Sequence, residues 1–189
     1  MTFTEILLLA VGLSADAFSV AVCKGLSTKK FSPKMSVIVG LWFGFFQALM
    51  PAIGYFLGSA FVRYIEKFDH WIAFVLLAMI GVNMIRESFS KDEDDADSSL
   101  SFSSMLPLAV ATSIDALAVG VAPLATLGIG LNKVLLCIAL IGVTTFLLSA
   151  VGVKIGNKFG SKYKSKAEFI GGLVLIALGA KILIEHLFF

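Results

Sequence analysis

Two aspartates, Asp16 and Asp115, each interrupt a long run of apolar residues. A carboxylate near the middle of a membrane span costs roughly 2.5–3.5 kcal/mol, so it normally faces a cavity or a partner. Two carboxylates brought together would repel each other, and either a divalent cation or protons would relieve that repulsion. Such a competition is the physical basis of proton–metal antiport. The alternative is structural, a hydrogen bond between helices in which one carboxylic acid stays neutral.

The composition of the chain requires a membrane around the helices that carry these aspartates. The 189 residues are 58% hydrophobic and 15% charged, with a net charge of +2 and a mean hydropathy of +0.96. Soluble domains contain about 45–50% apolar and about 25% charged residues, so the lipid bilayer is the expected solvent. The net charge is too small to indicate nucleic acid binding. Cys23 and Cys137 are expected to be inert packing residues and not a disulfide.

Six apolar segments are candidates for membrane-spanning helices. A span needs about 20 residues as a helix, and in lipid every backbone amide must be bonded within its own segment. The sequence therefore predicts an all-α integral membrane protein with six transmembrane helices. The predicted spans are residues 6–22, 35–62, 71–85, 105–131, 134–153 and 169–188.

The basic residues of the loops predict the orientation of the bundle. Placing the first, third and fifth loops in the cytoplasm puts eleven of the fifteen Lys and Arg residues there. The positive-inside rule then places both termini outside. An even number of spans also requires both termini on one side, so the two arguments agree.

The chain divides into two halves of similar sequence. Residues 14–20 match residues 113–119, and residues 80–87 match residues 178–185. The halves, 1–89 and 105–189, are joined by an acidic, serine-rich segment at 90–104, predicted to be a disordered cytoplasmic linker. Because each half has three helices, an odd number, the second copy must cross the membrane upside down. Two inverted three-helix repeats forming one functional unit are a recurring transporter design, with the site near the midplane.

Further charged and amide side chains lie at matching points of the two halves. Lys181 could be a counter-ion for Asp115 in the empty protein, or it could form a local pair with Glu185 one turn later. Asn83 occupies the position of Lys181 in the first half and could offer a carbonyl oxygen to a cation. Glu87 could belong to an inner gate or be a solvated helix end.

Smaller polar residues and glycines complete the pattern. The polar side chains are expected either to support the site or only to join helices; they are Gln47, Thr144, Thr145, Ser14 and Ser113. Glycines four residues apart predict faces for close helix contact; these are Gly40/Gly44, Gly54/Gly58 and Gly152/Gly156. The sequence contains no HExxH, CxxC, Walker loop or nucleophile elbow, so it does not predict an enzyme.

The repeated segments 14–20 and 113–119 resemble those of a known transporter family. Together with the Gly54/Gly58 and Gly152/Gly156 pairs, they make the chain similar over its whole length to the bacterial manganese efflux pump family (MntP). The resemblance implies export of Mn²⁺ from the cytoplasm across the bacterial cytoplasmic (inner) membrane. It implies both termini in the periplasm, with manganese as the transported substrate and no cofactor.

The resemblance also implies roles for individual residues. Asp16 and Asp115 match the motif aspartates of the family, and Asn83 and Lys181 are carried over with them. Carboxylate and amide oxygens suit Mg²⁺, Ca²⁺ and Mn²⁺ alike, so the choice of manganese rests on the resemblance. Proton antiport is the expected mechanism, with manganese, protons and the lipid bilayer as partners.

Two other functions share features of this sequence. An exporter of an amino acid or another small solute would have the same helical plan, because Lys181 and the two aspartates could hold a zwitterion. An intramembrane aspartyl protease also needs two membrane aspartates. Such proteases use two unlike motifs, one of them Gly-x-Gly-Asp, which neither Asp16 nor Asp115 has.

Overall fold

The computed structural model describes residues 3–28, 31–65, 69–89, 100–120, 130–160 and 164–188. Within these ranges all of the regular structure is helical, which confirms the predicted all-α class. The helices are α1 (Phe3–Leu26), α2 (Pro33–Ile65), α3 (Asp69–Phe89), α4 (Phe102–Ala111), α5 (Ile114–Val119), α6 (Leu131–Gly160) and α7 (Lys164–Phe188).

Three of the described helical stretches are long and apolar enough to cross a membrane. They are Phe3–Leu26, Pro33–Leu57 and Leu131–Phe159. Shorter apolar stretches occupy Leu77–Arg86, Phe102–Ala111 and Phe169–Lys181. Large apolar side chains face outward along these helices, among them Phe45, Phe56, Met79 and Leu147. Water would disfavour so much exposed apolar surface, whereas hydrocarbon accommodates it, so the chain is an integral membrane protein.

The fourth predicted span is not one continuous helix, so the prediction of a helix over residues 105–131 is wrong. α4 ends at Ala111 and α5 begins at Ile114, with Thr112 and Ser113 in a turn between them. At the far end of the predicted span, Leu131 is the first residue of α6. The predicted linker 90–104 is also too long, because residues 102–104 already belong to α4.

Two adjacent hydroxyl residues account for the break between α4 and α5. The Thr112 hydroxyl donates to the Leu108 carbonyl at 2.9 Å, and the Ser113 hydroxyl donates to the Ala109 carbonyl at 2.7 Å. Side-chain bonds of this kind compete with the backbone bonds of the helix. Pro107 further weakens α4, because it has no N–H to donate.

α1 and α6 pack together and run in the same direction. A Cβ at Gly152 would meet the carbonyl oxygen of Phe18, and a Cβ at Gly156 would meet the carbonyl oxygen of Val22. Residue numbers therefore rise together along the two helices. Backbones approach this closely only where side chains are small, so the glycine contacts predicted from the sequence are confirmed here.

α2 crosses α6 in the opposite direction. Gly40 lies against Phe146, while Gly44 and Gly142 each lie against the backbone carbonyl of the other. Residue numbers rise along one helix as they fall along the other. The predicted Gly40/Gly44 contact face is therefore confirmed.

α3 and α7 also pair in opposite directions. Gly81 lies against the carbonyl of Gly172, and Gly179 lies against Phe74. This pairing places the segment that contains Lys181 near the first half of α3.

Candidate metal-binding site

The two motif aspartates and Lys181 lie near one another. Asp115 interacts electrostatically with both Asp16 of α1 and Lys181 of α7. Asp16 is half-buried, whereas the side chains of Asp115 and Lys181 are exposed. The structure thus brings together three of the residues selected from the sequence.

Asp115 lies in the first turn of α5, directly after the break between α4 and α5. Its Oδ1 accepts a hydrogen bond of 2.9 Å from the backbone N–H of Ala116. Asp16, by contrast, lies within the continuous helix α1. The two aspartates therefore occupy different backbone settings despite their near-identical sequence contexts.

Ser14 and Thr145 join α1 to α6 on the side of α1 that faces away from Asp16. Their hydroxyl oxygens are 2.7 Å apart and buried, so one hydroxyl donates to the other. Ser14 precedes Asp16 by two residues, which turns it by about 200° around an α-helix. Both residues thus fix the position of α1 against α6.

Gln47 holds α1 from the side of α2. Its Nε2 donates a hydrogen bond of 2.8 Å to the carbonyl oxygen of Leu13, and its side chain is fully buried. Its Oε1 has no hydrogen-bond partner within the part of the chain that the structure describes. The sequence selected Gln47 only as a supporting residue.

The remaining residues selected from the sequence do not all reach this site. The Ser113 hydroxyl bonds carbonyl oxygens of α4 at the break, and Thr144 is half-buried on α6. Asn83 and Glu87 belong to α3 and Glu185 to α7, but their side chains lie outside the described ones. Of the two partners predicted for Lys181, the structure describes the interaction with Asp115.

A cavity of about 750 Å³ lies between α1, α3, α4 and α7. Its polar and charged lining residues sit near the ends of these helices; they are Lys24, Ser27, Arg86, Ser103 and Ser104. Its lining on α1 begins at Val20, one helical turn after Asp16. The cavity was not predicted from the sequence. Val20 and Ser27 follow Asp16 by 4 and 11 residues, which places all three on one face of α1 and was the available signal.

The donor set available here consists of oxygen atoms. Within the described residues, no group of three or more His, Cys, Asp and Glu side chains is placed to hold a metal ion. Carboxylates and neutral oxygens are the ligands that Mg²⁺, Ca²⁺ and Mn²⁺ prefer. The pair Asp16 and Asp115 would supply two charges, and neutral oxygens or water would complete the shell of such a cation.

Comparison with known proteins identifies related sequences along the whole chain. The family model described as "Putative manganese efflux pump" matches residues 30–183. A Campylobacter jejuni protein named "Putative manganese efflux pump MntP" is 55% identical over 191 residues, which cover 100% of both chains. An Acetivibrio thermocellus protein of the same name is 54% identical over 188 residues, covering 99% of this chain and 93% of its own. No solved structure matches the chain.

Proposed function

The chain belongs to the manganese efflux pump family, and on that premise we propose that it exports Mn²⁺ from the cytoplasm across the bacterial cytoplasmic (inner) membrane. The family consists of transporters, so the protein is a transporter and not an enzyme. Mn²⁺ is accordingly a transported substrate and not a cofactor.

The observation that carries the proposal is the position of Asp16 close enough to Asp115 for the two carboxylates to interact electrostatically. Two carboxylates in an apolar bundle repel each other, and a divalent cation bound between them removes that repulsion. Their oxygen atoms match the preference of Mn²⁺ for hard ligands. A zwitterionic solute needs only one carboxylate beside Lys181, and neither aspartate has the Gly-x-Gly-Asp motif of an intramembrane aspartyl protease.

The directions of the packed helices support six spans arranged as two inverted repeats. In a six-span chain α1 and α6 cross in one direction, whereas α2 and α6, like α3 and α7, cross in opposite directions. The glycine contacts have this pattern. The contact of Gly54 with the Leu117 carbonyl also corresponds to that of Gly152 with the Phe18 carbonyl in the other half. In this arrangement α4 and α5 form one interrupted span.

The transport cycle that we infer couples Mn²⁺ to protons. In the empty protein the Lys181 ammonium offsets part of the charge of Asp16 and Asp115. Mn²⁺ enters through the cavity between α1, α3, α4 and α7, whose charged lining residues Lys24 and Arg86 lie at the end of the bundle that the positive-inside rule places in the cytoplasm. After the metal is released outside, protons bind and neutralise the two carboxylates, and the protonated site then becomes accessible from the cytoplasm again. Both termini are then periplasmic.

Transport by the purified protein in lipid vesicles tests the proposal. Unaltered protein is expected to move Mn²⁺ across the bilayer, and an imposed pH gradient should drive protons the opposite way. Asp16→Asn and Asp115→Asn should each abolish the flux while the variants remain folded and monodisperse in detergent. Flux of amino acids instead of Mn²⁺, or unchanged Mn²⁺ flux in both variants, would contradict the proposal. Flux of Mn²⁺ that ignores the pH gradient would remove only the proton coupling.

A further inference from the structure

Gln47 carries an oxygen atom that no described group satisfies. Three buried side-chain atoms lack a hydrogen-bond partner within the described residues, namely Ser36 Oγ, Gln47 Oε1 and Ser149 Oγ. The two serine hydroxyls can turn toward a carbonyl of their own helix. An amide oxygen can only accept, and a buried acceptor without a donor is costly, at about 1–3 kcal/mol. Gln47 Oε1 is therefore the atom whose environment requires another explanation.

The orientation of the Gln47 amide is fixed by its own hydrogen bond. Nε2 donates to the Leu13 carbonyl at 2.8 Å. Exchanging the two amide atoms would place two oxygens against each other, so Oε1 must be the atom that points elsewhere. The Leu13 carbonyl points along α1 toward Ala17, and Leu13 precedes Asp16 by three residues, so the amide meets α1 less than one helical turn from the position of Asp16.

The helix that carries Gln47 touches both motif segments. One contact is the bond from Gln47 to α1. Two turns farther along α2, Gly54 packs against the carbonyl of Leu117, which follows Asp115 by two residues. Gln47 therefore belongs to the stretch of α2 that lies beside both aspartate-bearing helices.

The matching residue in the second half, Thr145, has hydrogen-bond partners for its buried side-chain oxygen. Thr145 Oγ1 of α6 lies within hydrogen-bond distance of both Ser14 Oγ and the carbonyl oxygen of Ile141. Pro51 adds to the difference, because it has no N–H for the backbone carbonyl of Gln47 four residues earlier. Gln47 therefore has two oxygen atoms that lack their usual donors within the described residues, the side-chain Oε1 and the backbone carbonyl oxygen.

We propose that Oε1 of Gln47 binds the transported cation directly, together with Asp16 and Asp115. This inference rests on the proposed function and adds a neutral oxygen ligand to the two charged ones. The cation completes the coordination of an acceptor that is otherwise buried without a donor. A fixed amide oxygen also favours hard cations over the softer metals that sulfur ligands select.

Gln47→Met gives the sharpest test, because it replaces the amide with a soft thioether of similar length. We expect the purified full-length variant to bind Mn²⁺ at least about tenfold more weakly, since residues that merely support metal ligands already change affinity by about 10–100-fold. We also expect Cd²⁺ to displace Mn²⁺ at a lower ratio than in the unaltered protein. The electron paramagnetic resonance signal of free Mn²⁺ measures both quantities.

Gln47→Glu keeps an oxygen at the site and loses the bond to Leu13, so it separates ligation from packing. We expect this variant to retain Mn²⁺ binding and the original Cd²⁺ displacement ratio, and it tests the proposal even if Gln47→Met does not fold. Ser36→Ala is the matched control, because it removes another buried polar atom without a described partner from α2, about three helical turns from Gln47. That control should leave Mn²⁺ affinity and the Cd²⁺ displacement ratio unchanged.

Three results would decide against the proposal or its premise. Unchanged Mn²⁺ affinity and Cd²⁺ displacement in Gln47→Met would show that Gln47 only packs, and loss of Mn²⁺ binding in Gln47→Glu would show that the bond to Leu13 is what matters. Either result leaves the proposed function intact if Asp16→Asn still abolishes binding. Retained Mn²⁺ binding in both Asp16→Asn and Asp115→Asn would instead overturn the proposed site, and the assignment of Gln47 with it.

Discussion

The hydroxyl groups of Ser14 and Thr145 meet across the interface of α1 and α6 with their oxygen atoms 2.7 Å apart. Both groups also lie within hydrogen-bond distance of a carbonyl of their own helix, at Ala10 and Ile141. The pair therefore closes a continuous polar chain in a fully buried contact. The Ser14–Thr145 contact therefore fixes the position of α1, which carries Asp16, against α6.

A double-mutant cycle measures this contact. Ser14→Ala, Thr145→Val and the double variant should show a coupling free energy of about 0.6 kcal/mol in unfolding from detergent, the average for hydrogen bonds between membrane helices. Each single variant should lower stability, and the double variant should lose less than their sum. Strictly additive losses would mean that the two hydroxyls do not stabilise each other.

Adding one methyl group at Gly54 should destabilise the bundle. A Cβ there would collide with the carbonyl oxygen of Leu117, so Gly54→Ala forces α2 and α5 apart. Overpacking of this kind costs about 1–3 kcal/mol. Thermal unfolding in detergent measures the loss. Gly12→Ala is the control, because nothing lies within 4 Å of a Cβ at that position; equal losses in the two variants would contradict the proposed helix contact.

Neutralising Lys181 should make transport more sensitive to acid. Without the ammonium, less positive charge opposes the repulsion between Asp16 and Asp115, so protons compete better with Mn²⁺ for the carboxylates. For Lys181→Gln we expect the pH of half-maximal Mn²⁺ flux to rise, with recovery at alkaline pH. Lys181→Arg retains the charge and should keep the original profile. An unchanged profile in Lys181→Gln would assign Lys181 to a partner other than the aspartates.

Cysteine labelling tests the orientation of the chain. In a background with Cys23→Ala and Cys137→Ala, a membrane-impermeant maleimide added to spheroplasts should label Lys133→Cys, at the exposed start of α6. The same reagent should label Ser99→Cys only after the membrane is permeabilised, because the positive-inside rule places that linker in the cytoplasm. The reverse pattern would place both termini in the cytoplasm.

The helices and their close contacts could largely be predicted from the sequence. Long apolar runs leave a chain in lipid no option but helices, and glycines four residues apart mark the faces where backbones meet. For that reason the predicted contacts of Gly44, Gly54 and Gly152 are present in the structure. The proximity of the two aspartates could also be predicted, because a charged side chain in an apolar bundle normally faces a partner or a cavity.

The break between α4 and α5 could not be predicted, because the same kind of side-chain bond also occurs in a continuous helix. Ser14 bonds the carbonyl of Ala10 within the continuous helix α1, while Ser113 makes the corresponding bond to Ala109 at the break. The second half differs because Thr112 stands directly before Ser113. The Thr112 hydroxyl makes an additional bond to the Leu108 carbonyl, which is visible only in the structure. The unused oxygen of Gln47 was hidden for a similar reason, because its bond to Leu13 depends on tertiary packing.

The pairing of α1 with α6 also has a consequence for biosynthesis. α1 is made first, yet its main packing partner starts at Leu131, more than one hundred residues later in the chain. At ribosomal rates of about 5–20 residues per second, the nascent α1 waits on the order of ten seconds in the bilayer before that partner exists. During this interval its glycine-accepting face and its aspartate are open to lipid, membrane chaperones and proteases. Quality control therefore has its best opportunity on the half-made chain, before α6 is inserted.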